Sequence, residues 1–382
     1  MSGSDRRQKS VIERPTGSLS SRLQERSRIA SARRGIRVSV IIPVFNGMPL
    51  IGELLASLDD QGLQQDQLQV IIVDDGSTDG TADHLDDYAA TRSHVTVLHQ
   101  ENSGWPGQPR NRALAVATGR WVFFADADDW FAPRALLELV EFGDLQDAQI
   151  VLPRVKRCGT RHGTRFTETL TSTPKRQAFR TFTPHKLVRR DLITSADLRF
   201  PEGKVRLEDG IFLTRCYLLA ERISVLADRD LYYFRGRDDG RNISAQRLEP
   251  QSYVASLDAI AQNVYDLSRG PKMRTALITE LLRRKCLRHY TDQRFARYPP
   301  QLQQQWLEVH AAFLSRHLTS EVRDALSARN ARRAELIMAG DRDGLLADII
   351  RDSAAAVASA PSGSDAVPAS ATSDGQPVAA AT

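Results

Sequence analysis

The sequence predicts an α/β fold with an open, mostly parallel sheet and flanking helices, followed by a helical C-terminal region and disordered tails. Three observations carry this reading. RVSVIIPVFNG (Arg37 to Gly47) and LQVIIVDDGSTDGT (Leu68 to Thr81) are β-branched runs without alternation, as in strands buried on both faces of a parallel sheet. Each is followed by an amphipathic helical pattern, Pro49 to Gln61 and Thr81 to Ala90. FFADADDW (Phe123 to Trp130) then places three carboxylates, Asp126, Asp128 and Asp129, directly after another apolar run.

Taken in order, Val95 to Glu101 reads as a third strand, Gln108 to Thr118 as a helix and Arg120 to Asp126 as a fourth strand. Strand and helix alternate, so the loops gather at the strand carboxyl ends, where open α/β sheets bind their ligands. Asp74 and Asp75, Asn102, and Asp126 to Asp129 are thereby expected to face one crevice. Period-2 alternation at the end of the fourth strand sets Asp126 and Asp128 on one face, with Ala127 turned into the core. Two hard oxygen donors suit Mg²⁺ or Mn²⁺ shared with a phosphate. The same acids also fit a polar loop that caps the helix beginning near Pro133.

Further on, Phe200 to Glu221 carries Glu208 and Asp209 at the start of a strongly apolar helix, where first-turn acids also complement the helix dipole. Arg229 to Ser244 joins a short strand to a basic loop. Pro250 to Leu267, Lys272 to Tyr290, Pro300 to Ser315 and Ser320 to Ile350 read as four helices of a separate bundle or cap. This gives a basic arm over 1–36, a catalytic domain over 37–245, a helical domain over 246–351 and an Ala/Ser/Pro-rich tail over 352–382.

The ordered motifs VSVIIPVFN, IIVDDGSTDGT, ENSGWPGQPRNRAL and GRWVFFADADDW closely resemble the nucleotide-sugar-dependent glycosyltransferases of family 2, which have the GT-A fold. The resemblance is dense from Arg37 to Trp130 and looser to Ser244, and is closest to bacterial enzymes acting on cell-wall polymers of the teichoic-acid type. It implies that Pro43 lies against a uracil, with Asn46 among the nucleotide-sugar contacts, and that Asp75 accepts the base N3–H. A carboxylate, being acceptor-only, suits an imide donor. One of Asp74 and Asp75 is expected to serve only as an Asx-turn.

Asn102 and Arg110 match positions bordering base and ribose, with Arg110 alternatively paired structurally to an acidic neighbour; Asp126 matches the ribose-contacting carboxylate and Asp128 the direct metal ligand. The ED pair implies Asp209 as catalytic base and Glu208 as a supporting contact. Arg235 or Arg237 resembles the clamp on the donor diphosphate, and Asn242 or Ser244 would add neutral donors, the alternative being a solvated Arg-rich loop.

The implied reaction is a single displacement with inversion. Mn²⁺ or Mg²⁺ offsets the charge on the leaving diphosphate while Asp209 takes the acceptor proton. The QxxRW motif of processive synthases is missing from the sequence. A UDP-sugar donor is implied, with UDP-GlcNAc ahead of UDP-glucose and UDP-galactose, and a hydroxyl acceptor on an anionic or cell-surface polymer. RRKCLRHYTDQRFARY (Arg283 to Tyr298), basic with interleaved aromatics, reads either as an acceptor-binding or membrane-apposed surface or as the solvated face of a packed helix.

Composition narrows the alternatives. The 382 residues, 41% hydrophobic and 26% charged, allow one large domain, a smaller one and two tails. No run approaches the roughly 18 apolar residues of a membrane span, and the first 36 residues have no apolar signal-peptide core. Three scattered cysteines, Cys158, Cys216 and Cys286, suit reduced thiols in the cytoplasm, with a peripheral place at the inner membrane face compatible. A net charge of +5 raises nucleic-acid binding, but the charge gathers in the arm and C-terminal helices, away from the acidic strand ends. A receiver-like phospho-acceptor lacks the ED helix and the NSGWPGQPRN loop. An inert sugar-nucleotide or anionic-polymer binding domain is the alternative reading.

Overall fold

The computed structural model describes residues 35–158, 166–236 and 248–358. Seven strands form the main sheet: β1 (Val38–Val44), β2 (Leu68–Asp74), β3 (Val95–His99), β4 (Trp121–Phe124), β6 (Ile150–Pro153), β8 (Leu187–Arg189) and β9 (Ile223–Leu226). Their order is β3-β2-β1-β4-β8-β6-β9. β3, β2, β1 and β4 run parallel, β8 is antiparallel to both neighbours, and β9 is parallel to β6. A second sheet, β5-β10-β7, joins β5 (Trp130–Phe131), β10 (Tyr232–Arg235) and β7 (Val155–Cys158).

The missing alternation in β1 and β2 has a direct cause. Val38, Val40, Ile42 and Val44 pack on one side with Ile51, Leu54 and Leu58 of α1 (Ile51–Leu58) and with Leu136, Leu139 and Val140 of α4 (Ala135–Leu145). Ile41, Ile71 and Val73 face the other side, against Ala113 of α3 (Gly107–Val116) and Phe212, Leu213 and Cys216 of α7 (Glu208–Leu219). Helix α2 (Thr81–Ala90) follows β2 as expected, and contributes Leu85 to the first of these layers. Short α5 (Lys175–Ala178) and α6 (Arg190–Ser195) flank β8 in sequence. Cys216 and Cys286 are buried free thiols.

The C-terminal helices differ from expectation in two respects. The helix expected over Lys272 to Tyr290 is α9 (Pro271–Leu281), then a π-turn over Leu282–Cys286 and a 3₁₀ turn over Leu287–His289. The one expected over Ser320 to Ile350 is three: α11 (Ser320–Asp324), α12 (Ala328–Met338) and α13 (Arg342–Ala358), which continues past Arg351, where a tail is expected. Ser327 caps α12 by accepting from Asn330 N, and Gly340 leaves it at φ +66°; both are local stops inside an apolar periodicity.

The helical region packs against the sheet domain. α8 (Pro250–Leu267) and α10 (Pro300–His317) share a core with Phe179 and Leu218 of the sheet domain, and Asn263 Nδ2 donates to Ile211 O at 3.2 Å. Of the interleaved aromatics in the basic segment, Tyr290 and Phe295 are in that core, so this stretch is a packed helix end with Arg283, Arg288, Arg294 and Arg297 on its exposed side. Among the described residues no helix is long and apolar enough to cross a membrane.

Candidate active site

One end of the candidate site is built where β1 and β2 stop. Gly76, at φ +77°, lets the chain turn beside the next loop: a Cβ there would lie 2.8 Å from Asn102 N. Asp74 Oδ1 accepts from Ser77 N at 3.1 Å and its Oδ2 meets His99 Nδ1 at 3.1 Å, so Asp74 is the turn-forming member of the pair. Asp75 is buried and turned to the other loop. Its Oδ1 accepts from Gln100 Nε2 at 2.6 Å and Ser103 N at 3.0 Å, and its Oδ2 from Ser103 Oγ at 2.9 Å. Of about four lone-pair sites on a carboxylate, one on Oδ2 is thus left for a ligand donor.

Pro43 is half-buried in β1. Asn46 adopts φ +50° and accepts from Thr78 N at 2.8 Å, stapling the β1 end to the turn after β2. Asn102 Oδ1 accepts from Gly104 N at 2.8 Å, an Asx-turn that shapes the loop leading to α3.

Arg110, in the first turns of α3, is buried at 3% exposure and links the two acidic motifs. Its Nη1 donates to Asp209 Oδ1 at 2.6 Å, its Nη2 to Asp126 Oδ1 at 2.9 Å, and Glu208 Oε1 lies 3.6 Å away. One guanidinium therefore faces three carboxylates, and their attraction holds it protonated despite burial. Glu208 and Asp209 open α7 as expected, presented by Leu207 in the left-handed region at φ +57°, a costly conformation for a bulky residue.

The geometry of the DxD segment departs from the alternation argument. β4 ends at Phe124, and Asp126 to Asp129 form a turn in which Asp129 N donates to Asp126 O at 3.2 Å. Such a turn brings together positions three apart, so Asp126 converges with Asp129 in place of Asp128. The third member is His185, which carries no motif in the sequence. Continuing the antiparallel register Phe123↔Leu187 by two residues sets His185 opposite Ala125, beside Asp126. Its Nε2 lies 2.9 Å from Asp126 Oδ2 and 3.4 Å from Asp129 Oδ2, and its ring stacks on Tyr232 at 4.6 Å. Ligand atoms of Asp126, Asp129 and His185 all lie within 4.8 Å of one another. Asp128 lies outside that group, and its carbonyl accepts from Arg235 Nε at 2.9 Å.

The charges sort these acids. Burial would raise Asp126, but His185 and Arg110 more than offset it and hold the carboxyl below its usual range. Asp129, nine-tenths or more enclosed and beside Asp126 and Asp128, is pushed well above it. Burial pushes Asp209 up to about 7, opposed by Arg110 and reinforced by Glu208 and Asp126; Glu208 is raised by burial also.

Arg235 is anchored over this segment: its N donates to Asp129 Oδ1 at 2.9 Å, its side chain pairs with Glu53, and it stacks 4.6 Å over Trp130. Arg237, Asn242 and Ser244 lie outside the described residues, so the structure does not compare Arg235 with Arg237.

This constellation sits at the carboxyl edge of β1, β2 and β4, and residues 39–195 match the family model described as Glycosyl transferase family 2. The chain carries a family 2 glycosyltransferase domain. Residues 250–348 match a second model, the glycosyl transferase TarS linker domain, which accounts for most of the helical region. A poly(ribitol-phosphate) beta-glucosyltransferase of Bacillus spizizenii is 33% identical over 63% of this chain and 39% of its own. The poly(ribitol-phosphate) beta-N-acetylglucosaminyltransferase TarS of Staphylococcus aureus is 29% identical over 73% of this chain and 49% of its own. The chain thus spans less than half the length of either relative. A crystal structure of S. aureus TarS 1–349 in complex with UDP-GlcNAc superposes with a TM-score of 0.77 at 27% identity, over 84% of this chain and 92% of that one. The seven-stranded sheet with its flanking helices is accordingly GT-A-like, followed by the helical region the sequence predicts.

Proposed function

We propose that this protein is a metal-dependent, inverting glycosyltransferase that moves a hexose or N-acetylhexosamine from a UDP-sugar to a hydroxyl of an anionic wall polymer or its precursor. The observation that carries this is the Arg110 bridge, which sets the candidate base Asp209 and the crevice carboxylate Asp126 on one guanidinium. The likeness to TarS crystallised with UDP-GlcNAc supports a uridine donor, and the names of both curated relatives support a polyol-phosphate acceptor.

Asp75, with one lone pair left over, reads the uracil N3–H beside Pro43. Asp209 Oδ takes the acceptor hydroxyl proton; a pKa of about 7 leaves it largely ionised above neutrality yet basic enough to accept. A single base on the attacking side accords with inversion. Arg110 holds Asp209 in place, and Glu208 adds negative charge that keeps it basic.

The residues fit a divalent ion. Among the described residues Asp129 Oδ2 is a buried oxygen without a hydrogen-bond partner, and two carboxylates with an imidazole suit Mn²⁺ or Mg²⁺, Mn²⁺ being the more tolerant of nitrogen. Two ligand sets are in play: Asp126 with Asp128, from the DxD order, and Asp126 with Asp129 and His185, from the geometry. When bound, such an ion offsets the charge of the departing diphosphate. Arg235, and Arg237 and Ser244 by their place in the sequence, would add donors to the same phosphates. We also propose a cytoplasmic place at the inner membrane face, in keeping with a wall-polymer acceptor. Transfer of labelled sugar from UDP-GlcNAc to a ribitol-phosphate oligomer, lost in Asp209→Asn, tests the whole reading.

A further inference from the structure

Cationic side chains gather along α9 and the π-turn that follows it. At its outer end, a cavity of about 370 Å³ between α5 and α9 is lined by Arg176, Lys272, Thr275, Thr279 and, from α11, Glu321. The next residue along, Glu280, is buried at 3% exposure, and three guanidiniums converge on its carboxylate. Arg283 lies at 2.6 Å, Arg180 at 3.3 Å from the sheet domain, and Arg284 at 3.9 Å. The side chains of Arg180 and Arg283 stay 56% and 43% exposed, so one carboxylate organises more positive charge than it neutralises.

Beyond them, Lys285 Nζ stands 5.4 Å over the ring of Phe182. Phe182 closes on Gly210, where a Cβ would lie 2.9 Å from it, and Gly210 follows Asp209. Within α9, Lys272 to Glu280 spans roughly 12 Å at the helical rise per residue, and the π-turn carries Arg283 to Lys285 beyond it.

We propose that this cationic stretch is a binding track for the phosphodiester backbone of the acceptor, feeding a hydroxyl to Asp209. The inference rests on the anionic-acceptor reading above and adds the site that would hold it. A guanidinium fork matches two phosphate oxygens, and the buried Glu280 holds Arg180 and Arg283 in place before the ligand arrives, which lowers the ordering cost of binding. Several stations in a row, one of them spanning the two halves of the molecule, suit a polymer with regularly spaced charges better than a single free phosphate. Glu321 shares the cavity lining with Arg176 and Lys272 and limits the surplus at the outer end.

The test is direct binding of a fluorescently labelled ribitol-phosphate oligomer to the full chain, without donor, across a salt series. An uncharged polyol of equal length serves as control. The parent should bind the oligomer, not the polyol, with affinity falling steeply with salt. In Arg180→Gln/Arg283→Gln the log–log salt slope should flatten by about 2, with affinity at 100 mM salt down roughly 10-fold, by analogy with counterion release at nucleic acids. Arg180→Lys/Arg283→Lys should recover most of the slope. Unchanged affinity and slope in the glutamine variant, at an unchanged melting temperature, would overturn the track, as would failure of the parent to bind the oligomer at 20 mM salt. Oligomer binding is read without turnover, so absent sugar transfer beside intact, arginine-dependent binding would sink the enzymatic reading alone.

Discussion

Replacing Arg110 by Met removes a cation shared by Asp209, Asp126 and Glu208, at 2.6, 2.9 and 3.6 Å. An opposite charge at such distances lowers a carboxyl by about 1–3 units. Without it, Asp209 should rise from about 7 by that amount, leaving roughly 5- to 500-fold less ionised base at pH 7. The sign is fixed: the base must be deprotonated, so transfer should fall at neutral pH and recover as pH rises, its acid limb displaced upward. Breaking a buried pair also costs about 3–5 kcal/mol, so melting must be followed in parallel. Arg110→Lys keeps the charge but not the fork and should fall between. The assay is a pH–rate profile of UDP release with saturating donor and acceptor. A folded Arg110→Met enzyme whose acid limb coincides with the parent's would refute the idea that Arg110 sets the basicity of Asp209.

Other outcomes follow from the same geometry. Asp75→Ala should weaken UDP far more than it slows turnover at saturating donor; equal competition by GDP or ADP against the parent would remove the uracil assignment. Asp129→Ala and His185→Ala should each lower Mn²⁺ affinity, measured by calorimetry with UDP present, if the converging trio is the ligand set. If Asp128→Ala alone does so, the DxD order prevails over the geometry. In the helical region, burial pulls His310 down to about 3 and His289 to about 2, so both fold as neutral rings. Their unfolded forms take up protons below about 6.5, so stability should fall with acidification from there by about 1.4 kcal/mol per pH unit per histidine. His310→Gln should flatten that slope by one histidine's share; an unaltered slope in urea melts would show that His310 is not the source.

The parallel sheet and the ED helix were legible because each depends on local signals: a run buried on both faces, and acids at a helix start. The DxD geometry was not, because β4 stops at Phe124 and a turn replaces the alternation that would align Asp126 with Asp128. His185 was invisible for another reason. Its place beside Asp126 comes from antiparallel pairing across 59 residues, which no spacing rule encodes. Where the helical region docks was not legible either, since amphipathic periodicity tells which face is buried and not against what; here it is Phe179 and Leu218. Cutting the chain after Ser244 would therefore expose the surface that supports Ile211 and Gly210, beside the base, and would not isolate acceptor binding.

The most direct measurement of the central claim is sugar transfer from radiolabelled UDP-GlcNAc to a ribitol-phosphate oligomer, with Mn²⁺ or chelator, by the parent and by Asp209→Asn. The account predicts labelled polymer only for the parent with metal. It also predicts a loss of roughly 100-fold or more in Asp209→Asn, whose UDP-GlcNAc and Mn²⁺ binding stay near those of the parent. Undiminished transfer by Asp209→Asn, or by the parent in excess chelator, would contradict it.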